Sequence, residues 1–243
     1  MHEHFLTTPN NPKIAINHYS SGKDFVLIIC PGWFMTKDSK YNRAIAEDFS
    51  KNTDVITMDF RGHGRSSGFY TFSALEVADL KAVVDYSHSK YKQVNLLGFS
   101  LGGAISIIYS AEYRNINNMI CVSAPADFDK IENHCFNKEA FIPTMQKFEL
   151  KRWLSIRPGN MFLNKTKPID VVENISPVPV LFIAGGKDPT VYPWHTRALY
   201  EKASGLKAFE LFEDDFHAED LYINSKERFM GVCGEWINSN GYR

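Results

Sequence analysis

Hydrophobic and polar positions along the chain follow two periods that take turns. Phe25 to Cys30, Asp54 to Asp59, Gln93 to Gly98, Met119 to Ser123 and Val178 to Ala184 are apolar over most of their length, as strands covered on both faces must be. Lys13 to Tyr19 alternates instead, with Ile14 and Ile16 on one side, which predicts a half-exposed edge strand after a short first strand near residues 4 to 8. Ala208 to Phe212 is also strand-like. Between these runs, helical spacing appears at about residues 40 to 51, 73 to 90, 101 to 113, 194 to 204 and 219 to 238. In the second, Leu75, Val77, Leu80, Val83 and Val84 recur on one face with Asp and Lys opposite. Repeated strand-helix-strand units predict an α/β fold with a doubly wound, mostly parallel sheet, and ligands beyond the carboxyl ends of its strands.

One stretch breaks that rhythm. Residues 127 to 176 put about fifty positions of mixed aromatics, Lys and Pro between two buried strands, far more than a bare crossover needs. The excess predicts a small lid or cap insertion on a single domain spanning 1–243. A length of 243 residues with 44% apolar residues suits one large core. Twenty-seven Lys and Arg against 28 Asp and Glu leave a formal charge of −1, so no basic field exists to hold nucleic acid. Apolar runs such as Phe25 to Cys30 stop far short of the roughly 20 residues of a membrane span. Met1-His2-Glu3-His4 does not open a secretory signal, and the chain is expected to be complete as it stands. Cys30, Cys121, Cys135 and Cys233 form no Cys-x-x-Cys pair, which points to buried thiols in a reducing cytoplasm rather than a disulfide frame or a zinc site.

The chemistry begins at Gly98-Phe99-Ser100-Leu101-Gly102, which follows the strand Val94 to Leu97 and leads into the helix opened by Leu101-Gly102-Gly103-Ala104. A strand that turns directly into a helix strains the turning residue, and only small neighbours two positions away leave room for it. Ser100 is therefore a candidate nucleophile. A Gly-rich phosphate-binding turn or an ordinary strand-helix junction has the same local look.

The elbow at Ser100, Pro31-Gly32-Trp33-Phe34 after one strand, Asp59-Phe60-Arg61-Gly62-His63-Gly64-Arg65-Ser66 after the next and the order of elements together resemble the α/β-hydrolase superfamily, over nearly the whole chain outside 127–176. The resemblance implies the chain order Ser, acid, His, each on a loop after a strand. Asp188, in Gly185-Gly186-Lys187-Asp188-Pro189, matches the family acid, and His217 matches the base. Asp127 occupies the position that some members use for the acid instead. The oxyanion hole needs two backbone donors: the N–H of Leu101, and that of Trp33, which stands where the family's donor follows a His-Gly pair, with Phe34 as fallback. Pro31 in place of that His sets the chain apart from the His-Gly-Gly-Gly esterases.

Of the remaining histidines, His2 and His4 are placed on a frayed tail, His63 in a structural role and His195 on a helix surface. The acids around His217 (Glu213, Asp214, Asp215, Glu219 and Asp220) are read as solvated or as complements to a helix start, mildly repelling anionic substrates. The resemblance implies a serine hydrolase acting through an acyl-enzyme on Ser100, with no metal or organic cofactor, but names no substrate; neutral small-molecule carboxylic esters of small to medium acyl size are the substrates expected. Phe34, Trp153 and Phe141 are candidate substrate-binding residues, with Trp33, Phe128, Phe136 and Phe162 as further wall; the same aromatics equally suit burying the lid against the sheet. The same residues also suit a thioesterase, an aminopeptidase, a C–C bond hydrolase or a hydrolase-fold ligand receptor with slow turnover.

Overall fold

The computed structural model describes residues 1–8, 12–132, 138, 142 and 149–240. Eight strands form one sheet: β1 (His2–Thr7), β2 (Lys13–Tyr19), β3 (Phe25–Cys30), β4 (Asp54–Met58), β5 (Gln93–Phe99), β6 (Asn118–Val122), β7 (Val180–Gly185) and β8 (Lys207–Phe212). Their spatial order is β1-β2-β4-β3-β5-β6-β7-β8. All pairings from β4 onward are parallel, and only β2 runs against its neighbours. The helices are α1 (Lys40–Phe49), α2 (Glu76–His88), α3 (Leu101–Tyr113), α4 (Leu150–Leu154), α5 (Pro168–Val171), α6 (Pro193–Lys202), α7 (Asp220–Asn224) and α8 (Lys226–Asn240).

Pleating sends successive side chains to opposite faces, so each central strand feeds two cores. Val26, Ile28 and Cys30 of β3 join Leu80 and Val84 of α2 and Ala104 and Ile107 of α3. Leu27 and Ile29 join Ile45 and Phe49 of α1 and Phe229 and Cys233 of α8. Cys30, Cys121 and Cys233 are buried free thiols, and Cys135 lies outside the described residues. Among the described residues no helix is long and apolar enough to cross a membrane.

Several expectations need correction. Lys13–Tyr19 is not an edge: β1 pairs along it, and residues 14–18 are buried. The edge is β1, so His2 and His4 stand in a strand rather than on a frayed tail. The helix expected over 219–238 is two helices that part at Ser225. β7 begins only at Val180 because Pro177 and Pro179 have no N–H to give a ladder. Within the expected insertion, α5 and the 3₁₀ turn Val172–Ile175 run along α3 and place Val172 and Ile175 wholly inside the core.

Candidate active site

β5 turns into α3 with one residue between them. Ser100 takes φ 49°, ψ −116°, a left-handed backbone that costs an L residue energy and persists only where its surroundings enforce it. Its N–H is tied to the Val122 carbonyl of β6 at 2.8 Å. A Cβ at Gly98 would lie 2.6 Å from the Cα of Gly103, and one at Gly102 would lie 2.2 Å from the carbonyl oxygen of Cys30. Only glycine lets the turn close this tightly against β3.

Two loops, from the parallel strands β7 and β8 beyond β6, meet the turn. His217 places Nε2 2.9 Å from Ser100 Oγ and Nδ1 2.6 Å from Asp188 Oδ2. Asp188 is buried, and its other oxygen accepts the backbone N–H groups of Thr190 and Val191, each at 2.9 Å. With Nδ1–H donating to the carboxylate, Nε2 remains as acceptor for the serine hydroxyl. Gly185 and Gly186 make this meeting possible: a Cβ on the first would stand 1.9 Å from the Phe216 carbonyl oxygen and on the second 2.4 Å from that of Glu213. The Gly-Gly pair is thus a contact surface between the Asp188 and His217 loops as well as a turn.

The His217 loop is held from several sides. Its own N–H donates to Asp220 Oδ2 at 3.2 Å, and the next N–H, on Ala218, donates to Ser123 Oγ at 3.1 Å. Ala218 and Ser123 both have positive φ, 54° and 50°. Asp215 accepts from Ser225 Oγ at 2.6 Å. Of the acids, Glu213 and Asp214 are exposed, the latter paired with Lys187, and Glu219 and Asp220 stand at the start of α7, whereas Asp215 is buried rather than solvated. Ser123 escaped the sequence reading, because nothing local marks a serine at a strand end as a support for a loop 95 residues away.

On the other flank, Gly32 lies against the turn, where a Cβ would be 3.3 Å from Ser100 Cβ. This sets the Trp33 and Leu101 N–H groups beside Ser100, and neither donates to an acceptor among the described residues. The buried Asp59 carboxylate accepts the N–H of Lys37 at 2.6 Å and of Arg65 at 2.9 Å, fastening the Trp33 loop to the loop after β4. Burial pushes this carboxyl up to about 7.

Trp33, Phe34 and Trp153 come together, with ring centroids 4.3 Å apart for the first pair and 4.5 Å, stacked, for Phe34 and Trp153. Phe72, which the sequence reading missed, sets its edge on Trp33 at 5.4 Å. Phe128 packs on Phe72. Phe162 is 97% exposed and walls nothing, while Phe136 and Phe141 lie outside the described residues. Asp127 is engaged by Lys167 at 2.9 Å and caps the turn Phe128–Lys130. His195 is fully buried, contrary to its surface placement, because its Nδ1 accepts the N–H of Ala126. His63 is buried against Tyr70, with its imidazole lowered to about 4 by burial. Among the described residues, no group of His, Cys, Asp and Glu is placed to hold a metal ion.

A hydroxyl bonded to an oriented imidazole beside two idle backbone donors is the arrangement that serves nucleophilic acyl transfer. A family model of the alpha/beta hydrolase fold matches residues 26–138. Over 200 residues the chain is 26% identical to the uncharacterized protein YqkD of Bacillus subtilis, covering 76% of this chain and 62% of that protein. It thus spans less than two thirds of that relative's length. It is 23% identical to the serine hydrolase BPHL of Homo sapiens across 96% of this chain and 88% of that one. The solved esterase Pf2001 of Pyrococcus furiosus superposes with a TM-score of 0.81 at 23% identity, over 99% of this chain and 90% of that one. From its strand order to the tight turn at Ser100, the chain has the alpha/beta hydrolase fold.

Proposed function

We propose that the protein is a serine hydrolase that cleaves small-molecule carboxylic esters through an acyl-enzyme. The observation that carries this reading is the continuous hydrogen-bonded path from Ser100 Oγ through His217 to Asp188. Ser100 attacks the ester carbonyl while His217 Nε2 takes its proton. The N–H groups of Trp33 and Leu101 hold the oxyanion. His217 then protonates the departing alcohol and activates the water that frees the acid. Asp188 orients the imidazole throughout. The chemistry uses no metal or organic cofactor.

Phe34 and Trp153 form the wall of the acyl site in this reading, under a lid drawn from residues 127–176 on a single domain of 1–243. Such a wall favours acyl groups of small to medium size. Buried free thiols at Cys30, Cys121 and Cys233 agree with a cytoplasmic protein. The test is a fluorophosphonate probe together with p-nitrophenyl esters of increasing acyl length. One adduct is expected, on the peptide containing Ser100, with turnover highest for short acyl groups. Labelling or turnover that survives in Ser100→Ala overturns the proposal.

A further inference from the structure

Beside Phe72, whose ring packs on Trp33, the loops form a half-open cavity of about 400 Å³ lined by Phe72, Phe128, Asp129, Leu163, Lys165 and Lys167. Its size lies within the range of small-molecule sites. Phe72 is its link to the candidate active site, since one edge of that ring meets Trp33 and another meets Phe128 at 5.6 Å. Phe72 and Ser73 both adopt left-handed backbone, φ 56° and 82°. That conformation is enforced from below by the buried Glu76, which accepts the Thr71 N–H at 2.7 Å and the Thr71 hydroxyl at 2.9 Å. Non-glycine strain of this kind persists where the surroundings over-determine it, and ligand clamps are one such place.

The charges in the cavity are not equivalent. Lys167 lies between Asp127 at 2.9 Å and Asp129 at 2.7 Å, which neutralise it. The Lys165 ammonium is held by the carbonyls of Met161 and Leu163, the latter at 3.2 Å, and stands 6.0 Å from the centre of the Phe72 ring. Among the described residues it meets no carboxylate. Carbonyls and a ring face fix its position without cancelling its charge. A carboxylate that enters the cavity therefore meets Lys165 as its cation without a carboxylate partner among the described residues.

Resting on the proposed esterase chemistry, the orientation of the reaction assigns the cavity to the acyl half. His217 returns its proton to the leaving alcohol, so the alcohol departs on the His217 flank and the acyl chain extends past Trp33. We propose that this cavity is an acyl subsite for a chain ending in a carboxylate, which makes half-esters of dicarboxylic acids the preferred substrate class. Phe72 and Phe128 face the spacer, and Lys165 is the specificity-determining residue that receives the terminal carboxylate.

The experiment compares monomethyl esters of dicarboxylic acids, from succinate to suberate, with methyl alkanoates of matched length, by acid release in a pH-stat. Wild type, Lys165→Gln and Lys165→Arg are tested, and free adipate binding is measured by calorimetry. Wild type is expected to favour one half-ester over its matched alkanoate by about tenfold or more in kcat/KM, the worth of one charge-assisted hydrogen bond. Lys165→Gln is expected to erase that ratio, chiefly through KM, and Lys165→Arg to keep most of it. Adipate binding is expected to weaken in parallel in Lys165→Gln. Preference for the alkanoate at every length, an unchanged ratio in Lys165→Gln, or no adipate binding overturns the subsite. Absence of all ester turnover and of fluorophosphonate labelling overturns the esterase reading instead, and adipate binding then judges the cavity on its own.

Discussion

Gly102 offers a direct test of how the turn at Ser100 is built. A methyl group there would stand 2.2 Å from the carbonyl oxygen of Cys30 and 2.5 Å from that of Pro31, both backbone atoms with no side-chain freedom to yield. Relief requires the start of α3 and the end of β3 to part by about 1 Å. Overpacking of this kind costs about 1–3 kcal/mol, which for a chain of this size lowers Tm by roughly 2–12 °C. The displaced backbone is also the one that carries Trp33. A shift of about 1 Å in such a donor is worth a loss of about a hundredfold in kcat. Gly231→Ala is the control, since a Cβ there meets nothing within 4 Å and the residue lies within α8. Helix propensity alone predicts a gain of about 0.5–1 kcal/mol. The assays are thermal unfolding by circular dichroism, ester turnover and the rate of fluorophosphonate labelling. If Gly102→Ala melts lower but keeps kcat within twofold, Trp33 is not an oxyanion donor. Should it melt like the wild type, the contact with β3 is not as tight as described.

Asp188→Asn is expected to reduce kcat by about 10⁴ with little change in Tm, because an amide no longer selects the productive imidazole tautomer. The loss is expected to exceed that in Asp127→Asn by at least about a hundredfold, and the reverse ranking in stopped assays would move the acid to the loop after β6. His63 links stability to pH. Its folded value is about 4 against an ordinary 6.5, so between those values the unfolded chain binds the extra proton, and stability is lost as pH falls through that window. The advantage of wild type over His63→Gln in urea unfolding is therefore expected to be about 3 kcal/mol wider at pH 7 than at pH 4. An equal advantage at both pH values would mean that the folded protein accepts the proton without penalty.

How far the chain could be read in advance depended on whether the relevant partners are local. β3 and α3 were legible to the residue, because a strand buried on both faces is continuously apolar and the elbow glycines mark where the helix must begin. Ser100, Asp188 and His217 were legible through their places after strands. β2 was misjudged because its polar residues looked solvent-facing, yet Asn17 is met by Lys37 and Asp38, and His18 by Tyr86 and Tyr91. Each of those partners lies 20 or more positions away, beyond the reach of any periodicity. The split between α7 and α8 has the same origin, since Ser225 leaves helical backbone and gives its hydroxyl to Asp215. His195 was taken for a surface residue because its burial is decided by Ala126, 69 positions earlier. Phe72 gave no signal at all, since its left-handed backbone depends on the buried Glu76.

The strand order divides the labour of the site between the middle of the sheet and its margin. β5, which ends at Ser100, is flanked by β3 and β6, whereas the loop bearing His217 hangs from β8, which has a neighbour on one side only. Opening that starts at unpaired edges reaches β8 long before it reaches β5. Warming or mild denaturant is therefore expected to part imidazole from hydroxyl while most of the sheet still holds, so that any ester turnover falls at a lower temperature than the unfolding transition seen by circular dichroism. The hydroxyl thus rests on the interior of the sheet and its imidazole on the margin.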